Sequence, residues 1–100
     1  MTESVVLTLF VPPDLEDALV NWLLENEHIR GFTSMTAHGH GETQAGMTLL
    51  EQVTGRQRRM QFLVQTSREI AETLIHGIRE QFAGAGMYYI LTPVIESGRI

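Results

Sequence analysis

The sequence predicts an α+β sandwich, a four-stranded antiparallel sheet carrying two helices on one face. Three observations lead there. Four segments are rich in β-branched and aromatic residues or alternate apolar with polar, as strands do. Two others repeat apolar residues at helical spacing. Their order is strand, helix, strand, loop, strand, helix, strand, so residues 4–38 and 58–95 read as two copies of one β-α-β unit. Each unit takes a right-handed crossover, and two of them interleave as a ferredoxin-like split β-α-β domain, βαββαβ. One hundred residues make a single domain, 1–100, with a long loop at about 40–56.

The first strand is Ser4–Val11, SVVLTLFV. Pro12 and Pro13 end it and open a helix whose first turn holds Asp14, Glu16 and Asp17, which complement the helix dipole. Leu15, Ala18, Leu19, Trp22 and Leu23 form its apolar face, Val20 and Leu24 widen it, and the helix fades near Asn26. A second strand, GFTSMTAH, starts at Gly31. After the loop, Arg58–Gln65 places Met60, Phe62 and Val64 on one face and Arg59, Gln61 and Gln65 on the other, with Leu63 the exception. Thr66-Ser67-Arg68-Glu69 has the pattern of a capping box. The second helix turns Ile70, Ala71, Leu74, Ile75, Ile78 and Phe82 inward and stops at Gly84 and Gly86. Met87–Ile95 is the last strand, and Pro93, which lacks a backbone donor, assigns it to a sheet edge or a bulge. The sheet face away from the helices should carry a mixture of Thr, Met, Gln and aromatic side chains. Such a face suits a subunit interface.

Composition removes several function classes. The chain has no cysteine, hence no disulfide, thiolate nucleophile or cysteine metal site. Its seven basic residues are all arginine, which excludes a lysine-dependent phosphate loop and Schiff-base chemistry. A net charge of −5 argues against nucleic acid as a partner. No apolar run reaches the ~18–20 residues of a membrane span. The opening MTESVVLTLF lacks a basic stretch and a cleavage site, so a cytoplasmic protein without a signal peptide is expected.

The loop carries the chemistry. His38 and His40 stand two apart, so on a strand they share one face, and Glu42 continues the alternation. With Met47 as a soft donor, His38-x-His40-x-Glu42 can chelate a transition metal. The plainer reading is a set of polar residues, hydrogen-bonded or solvated, at a glycine-rich loop mouth. At the other end, Arg56, Arg58 and Arg59 gather three of the seven arginines. They suit an anion or an acidic partner surface, or simply protect an edge strand by charge. Trp22 is read as core, and His28 and His76 as helix-end and helix-surface residues. Catalysis is not expected. Although small domains of this fold include cofactor-free oxygenases and isomerases, with His38 or His40 the candidate base here, no nucleophile–base–orienter set is present.

"IRGFTSMTAHGHGE", "LVQTSREI" and "GAGMYYILTPVIESGR" resemble the second strand and loop base, the helix cap, and the last turn, strand and tail of the PII-like signalling proteins. That superfamily includes the nitrogen regulatory PII proteins and CutA. The resemblance covers essentially the whole chain. "LLEQVTGR" and "YYILTPVIESGR" are similar to a small PII-like branch encoded beside heavy-metal efflux pumps. The resemblance implies a homotrimer that binds adenine nucleotides in clefts between subunits and uses its T-loop to dock onto a transporter, enzyme or regulator. By it, Gly31 and Thr33 match the adenine side, as does Val64 or its neighbour Leu63. Gly41 matches the loop base, Gly84 and Gly86 the turn whose amides approach phosphate, and Arg99 the tail. The chain departs from the PII pattern at Glu42, which stands for a phosphate-binding arginine, and at Met87, which stands for a lysine. Its tail keeps one arginine of two. The resemblance therefore carries the trimer and the sensor role further than it carries ATP. ADP, AMP, a transition-metal ion or another ligand stands equally, and the alternative function is a CutA-like metal-binding or structural trimer without nucleotide sensing.

Overall fold

The computed structural model describes residues 3–41 and 56–100. Strand β1 (Ser4–Val11) leads through a 3-10 turn (Pro13–Leu15) into α1 (Glu16–Leu24), followed by β2 (Thr33–His40), β3 (Arg56–Ser67), α2 (Arg68–Gln81) and β4 (Tyr88–Pro93). The strands form one antiparallel sheet in the order β2-β3-β1-β4. This is the ferredoxin-like arrangement that the strand and helix order predicts.

β1 lies inside the sheet, and its alternation is complete. Val5, Leu7, Leu9 and Val11 are buried, while the residues between them are only partly covered. Register places Phe62 opposite Leu9 and Val64 opposite Leu7, so these side chains share the core face. Leu19 and Leu23 of α1 and Leu74, Ile75 and Ile78 of α2 close over them in the same cluster. Both helices thus cover one face of the sheet, and each fully buried aliphatic side chain contributes ~1.5–3 kcal/mol. Among the described residues no helix is long and apolar enough to cross a membrane.

The first helix differs from expectation. The two prolines hold Pro13–Leu15 as a 3-10 turn, so the α-helix starts late and ends at Leu24 rather than near Asn26. Ala18 is exposed, and Leu24 is 68% exposed instead of widening the core face. Trp22 is partly buried and lies across Gly77 of α2, where an added Cβ would stand 2.7 Å from Trp22 Cζ2. The glycine is what allows the indole to sit there. The indole also meets the ring of Phe82 edge-on, with centroids 6.4 Å apart.

The second helix is capped by Ser67, whose Oγ accepts the Ile70 N–H at 3.2 Å. The expected capping box is therefore displaced by one residue: with Ser67 as the cap, Ile70 occupies the position that a glutamate would need to close the box. Glu69 still complements the helix dipole. β2 and β3 both run further toward the loop than expected, to the pair His40↔Arg56. α2 ends at Gln81 with Phe82 as its cap, before the glycines expected to stop it; Gly84 (φ +74) and Gly86 (φ +82) then adopt the left-handed conformation that turns the chain back to β4. β4 is an edge strand, the first of the two placements that Pro93 allows. Val94 N–H donates to Ser4 O at 3.0 Å, so strand alternation turns the Pro93 nitrogen outward, where no ladder bond is lost.

On the uncovered face, Thr8 and Phe10 stand beside Gln61, Leu63 and Gln65 of β3, Thr33 and Met35 of β2, and Tyr88 and Ile90 of β4. It is the expected mixture. Phe10 stacks on Tyr88 with ring centroids 4.7 Å apart, and Met35, Tyr88 and Ile90 are each at least 40% exposed.

Candidate functional site

The β2–β3 hairpin brings the two ends of the loop together. His38 lies directly opposite Arg58, and His40 opposite Arg56. Such pairs hold their Cβ atoms about 4.5–5.5 Å apart, and the even spacing puts all four side chains on the same sheet face. All four are exposed. Arg59 goes to the other face, opposite Ala37. There its guanidinium donates to Gln57 Oε1 at 2.9 Å and lies 5.6 Å from the centre of the Tyr88 ring. The three arginines that are neighbours in sequence thus serve two faces. Among the described residues no three of His, Cys, Asp and Glu are grouped to hold a metal ion. Glu42 and Met47, the further ligands considered from sequence, lie outside the described residues, as does the loop from 42 to 55. Two guanidinium groups across from the two imidazoles oppose a metal cation and favour an anion.

The residues matched to a nucleotide site fall into two groups. Thr33 is the cross-strand partner of Leu63 on the uncovered face. Val64 instead points into the core and is fully buried, so Leu63 is the member of that pair that joins Thr33. Gly31 precedes β2 and Gly41 follows it with φ +75. These positions belong to one sheet edge. Gly84 and Gly86 lead into β4, the opposite edge. Three strand spacings of about 4.8 Å, roughly 14 Å, separate the two edges. Arg99 is exposed in the C-terminal tail, which Gln65 secures by donating from Nε2 to Ser97 Oγ at 2.9 Å.

A cleft of about 400 Å³ opens between the end of α2, the glycine turn and the start of β4. Leu9, Ile75, Ile78, Phe82 and Met87 make its walls apolar, and among the described residues Arg79 is the one charged side chain in its lining. Arg79 Nη2 donates to Tyr89 Oη at 3.0 Å, and its guanidinium carbon lies 5.6 Å from the centre of that ring. Sequence reading missed both residues. The available signal was a basic residue in a last helical turn, five positions before a glycine turn.

The profile of the family described as "Protein of unknown function (DUF3240)" matches residues 1–100. No curated protein matches the chain by sequence. Among solved structures, a DUF3240 family protein from Shewanella baltica superposes with a TM-score of 0.79 at 18% identity, over 100% of this chain and 99% of that one. A putative PII-like signalling protein from Thermus thermophilus gives 0.67 at 17% identity, over 93% and 87%. The periplasmic divalent cation tolerance protein CutA from Archaeoglobus fulgidus gives 0.71 at 8% identity, over 96% and 88%. At these identities the likeness establishes a shared fold, that of PII-like and CutA proteins.

Proposed function

The chain belongs to the DUF3240 family, and we propose that it is a PII-like regulatory protein that senses a small anionic ligand between subunits of a homotrimer. The observation that carries this reading is the division of the matched residues between opposite sheet edges. Gly31, Thr33 and Gly41 flank or belong to β2, while Gly84 and Gly86 feed β4. Roughly 14 Å of sheet separates them within one chain, so a ligand touching both groups needs a second copy. The uncovered face supplies the surface for that association: Met35, Tyr88 and Ile90 are large, apolar and exposed there. An adenine nucleotide is the ligand class that the resemblance implies, and the hairpin arginines give it cations. The loop at 40–56 would then report occupancy to a membrane transporter, with heavy-metal efflux the process in question. Any such coupling needs a ligand that binds the loop states unequally, and ~1–3 kcal/mol is typical.

One observation favours the CutA-like reading. His38 and His40 do share a face, as chelation requires. Light scattering together with calorimetry against ATP, ADP, AMP, Zn²⁺, Cu²⁺ and Ag⁺ separates the two. A trimer that binds a nucleotide supports the sensor. A trimer that binds only metal supports the CutA-like alternative, and a stable monomer at micromolar concentration ends both.

A further inference from the structure

We infer that the cleft beneath the end of α2 is a binding site for a small organic acid with an apolar ring or chain and one anionic group. The cleft shares Gly84 and Gly86 with the intersubunit reading but adds Arg79 and Tyr89, which that reading does not use. Three features point to this ligand chemistry. The walls are apolar and the volume, about 400 Å³, lies within the range of small-molecule sites. Among the described residues no carboxylate lines the cleft. The one cation, Arg79, has no ion-pair partner among the described residues; its hydrogen bond goes to the neutral Tyr89 hydroxyl. Its neighbour Glu80 is engaged with His76 at 3.1 Å instead. A guanidinium fixed by a phenol keeps its full charge and most of its donors for an incoming acid, and it is already oriented when the acid arrives. The turn leaves room for that acid, since nothing lies within 4 Å of where a Gly84 Cβ would be.

The chain contains its own reporter. Trp22, the only tryptophan, meets Phe82 edge-on, and Phe82 lines the cleft. The test is a titration of the full chain with AMP, phenylacetate and octanoate, followed by tryptophan fluorescence and calorimetry. At least one probe should saturate at or below millimolar concentration and change the Trp22 emission. Arg79→Met should then weaken that probe about tenfold to a hundredfold, the usual effect of removing a charged hydrogen bond. Tyr89→Phe keeps the ring but frees the arginine, and should weaken it by a smaller factor. Circular dichroism checks that both variants fold. If no probe binds the wild type, or if Arg79→Met binds as the wild type does, the site is refuted. AMP binding that ignores Arg79→Met but falls with Arg58→Ala would place the nucleotide at the hairpin and count against the cleft. Phenylacetate or octanoate binding that falls in Arg79→Met, with AMP silent, would support the cleft while counting against an AMP sensor.

Discussion

Gly77 shows how a single missing methyl group positions a helix pair. A Cβ there would stand 2.7 Å from Trp22 Cζ2, so the indole or α1 must move in Gly77→Ala. Overpacking of this kind costs about 1–3 kcal/mol, whereas alanine in a helix interior gains about 0.8–1 kcal/mol over glycine. The expected balance is a loss of ~1 kcal/mol on urea denaturation, with a shift in Trp22 emission. The reversal is equally specific: once Trp22 is Leu, Gly77→Ala should stabilise, because only the helix preference remains. A stabilising Gly77→Ala in the Trp22 background would show that the indole shifts freely. None of this was legible in the sequence, where Gly77 is only a poor helix residue. The cap was nearly legible. Thr66 and Ser67 can both cap a helix, and only backbone geometry selects Ser67. For Arg79 the sequence offered only its place in the last helical turn, since its partner Tyr89 comes from a different element.

The β2–β3 hairpin is the element on which the proposed function most depends. Sequence reading grouped the histidines and the arginines at separate ends of a loop, and strand alternation correctly gave His38 and His40 a common face. It did not reveal that Arg56 and Arg58 join them on that face while Arg59 leaves it. The reason is physical: intrastrand parity is written in the sequence, but cross-strand register is set by the turn, and the turn is long. Helix phase failed where local geometry changed. The 3-10 turn at Pro13–Leu15 sets where α1 begins, and Ala18 and Leu24 are left facing outward. With two guanidiniums across from two imidazoles, Arg56→Ala combined with Arg58→Ala should weaken a nucleotide held at the hairpin by ~1.5–3 kcal/mol for each charged hydrogen bond lost. Calorimetry reads this directly. His38→Ala combined with His40→Ala should leave the oligomer intact by light scattering. A zinc affinity that vanishes in the histidine pair and survives in the arginine pair would favour the CutA-like alternative.

At the scale of the whole molecule, the fold was legible in the sequence. Four strands and two helices in this order admit few topologies, and the mixed composition of the uncovered face was readable from alternation alone. If that face joins subunits, charging its exposed apolar residues should dissociate them. Ile90 is 48% exposed and Met35 40% exposed, so Ile90→Arg with Met35→Glu perturbs little inside one chain. The pair is expected to convert a trimer to monomers with unchanged circular dichroism. A trimer that survives both charges would put the contacts on another surface.

The outward-turned nitrogen of Pro93 has a bearing on fibril formation. β4 is an edge, and an edge strand can template another extended chain. With Val94 N–H turned inward to Ser4, the outward backbone donors along β4 belong to Tyr89 and Leu91, and the third position is Pro93. An added strand would find two rungs and then none. Chains that stack edge to edge without closing grow indefinitely, while a closed ring stops, and the proline shortens the template available for the first outcome. Pro93→Ala should therefore fold normally yet raise thioflavin-positive aggregation on prolonged agitation near neutral pH. Equal lag times for the two proteins would show that the proline does not guard this edge.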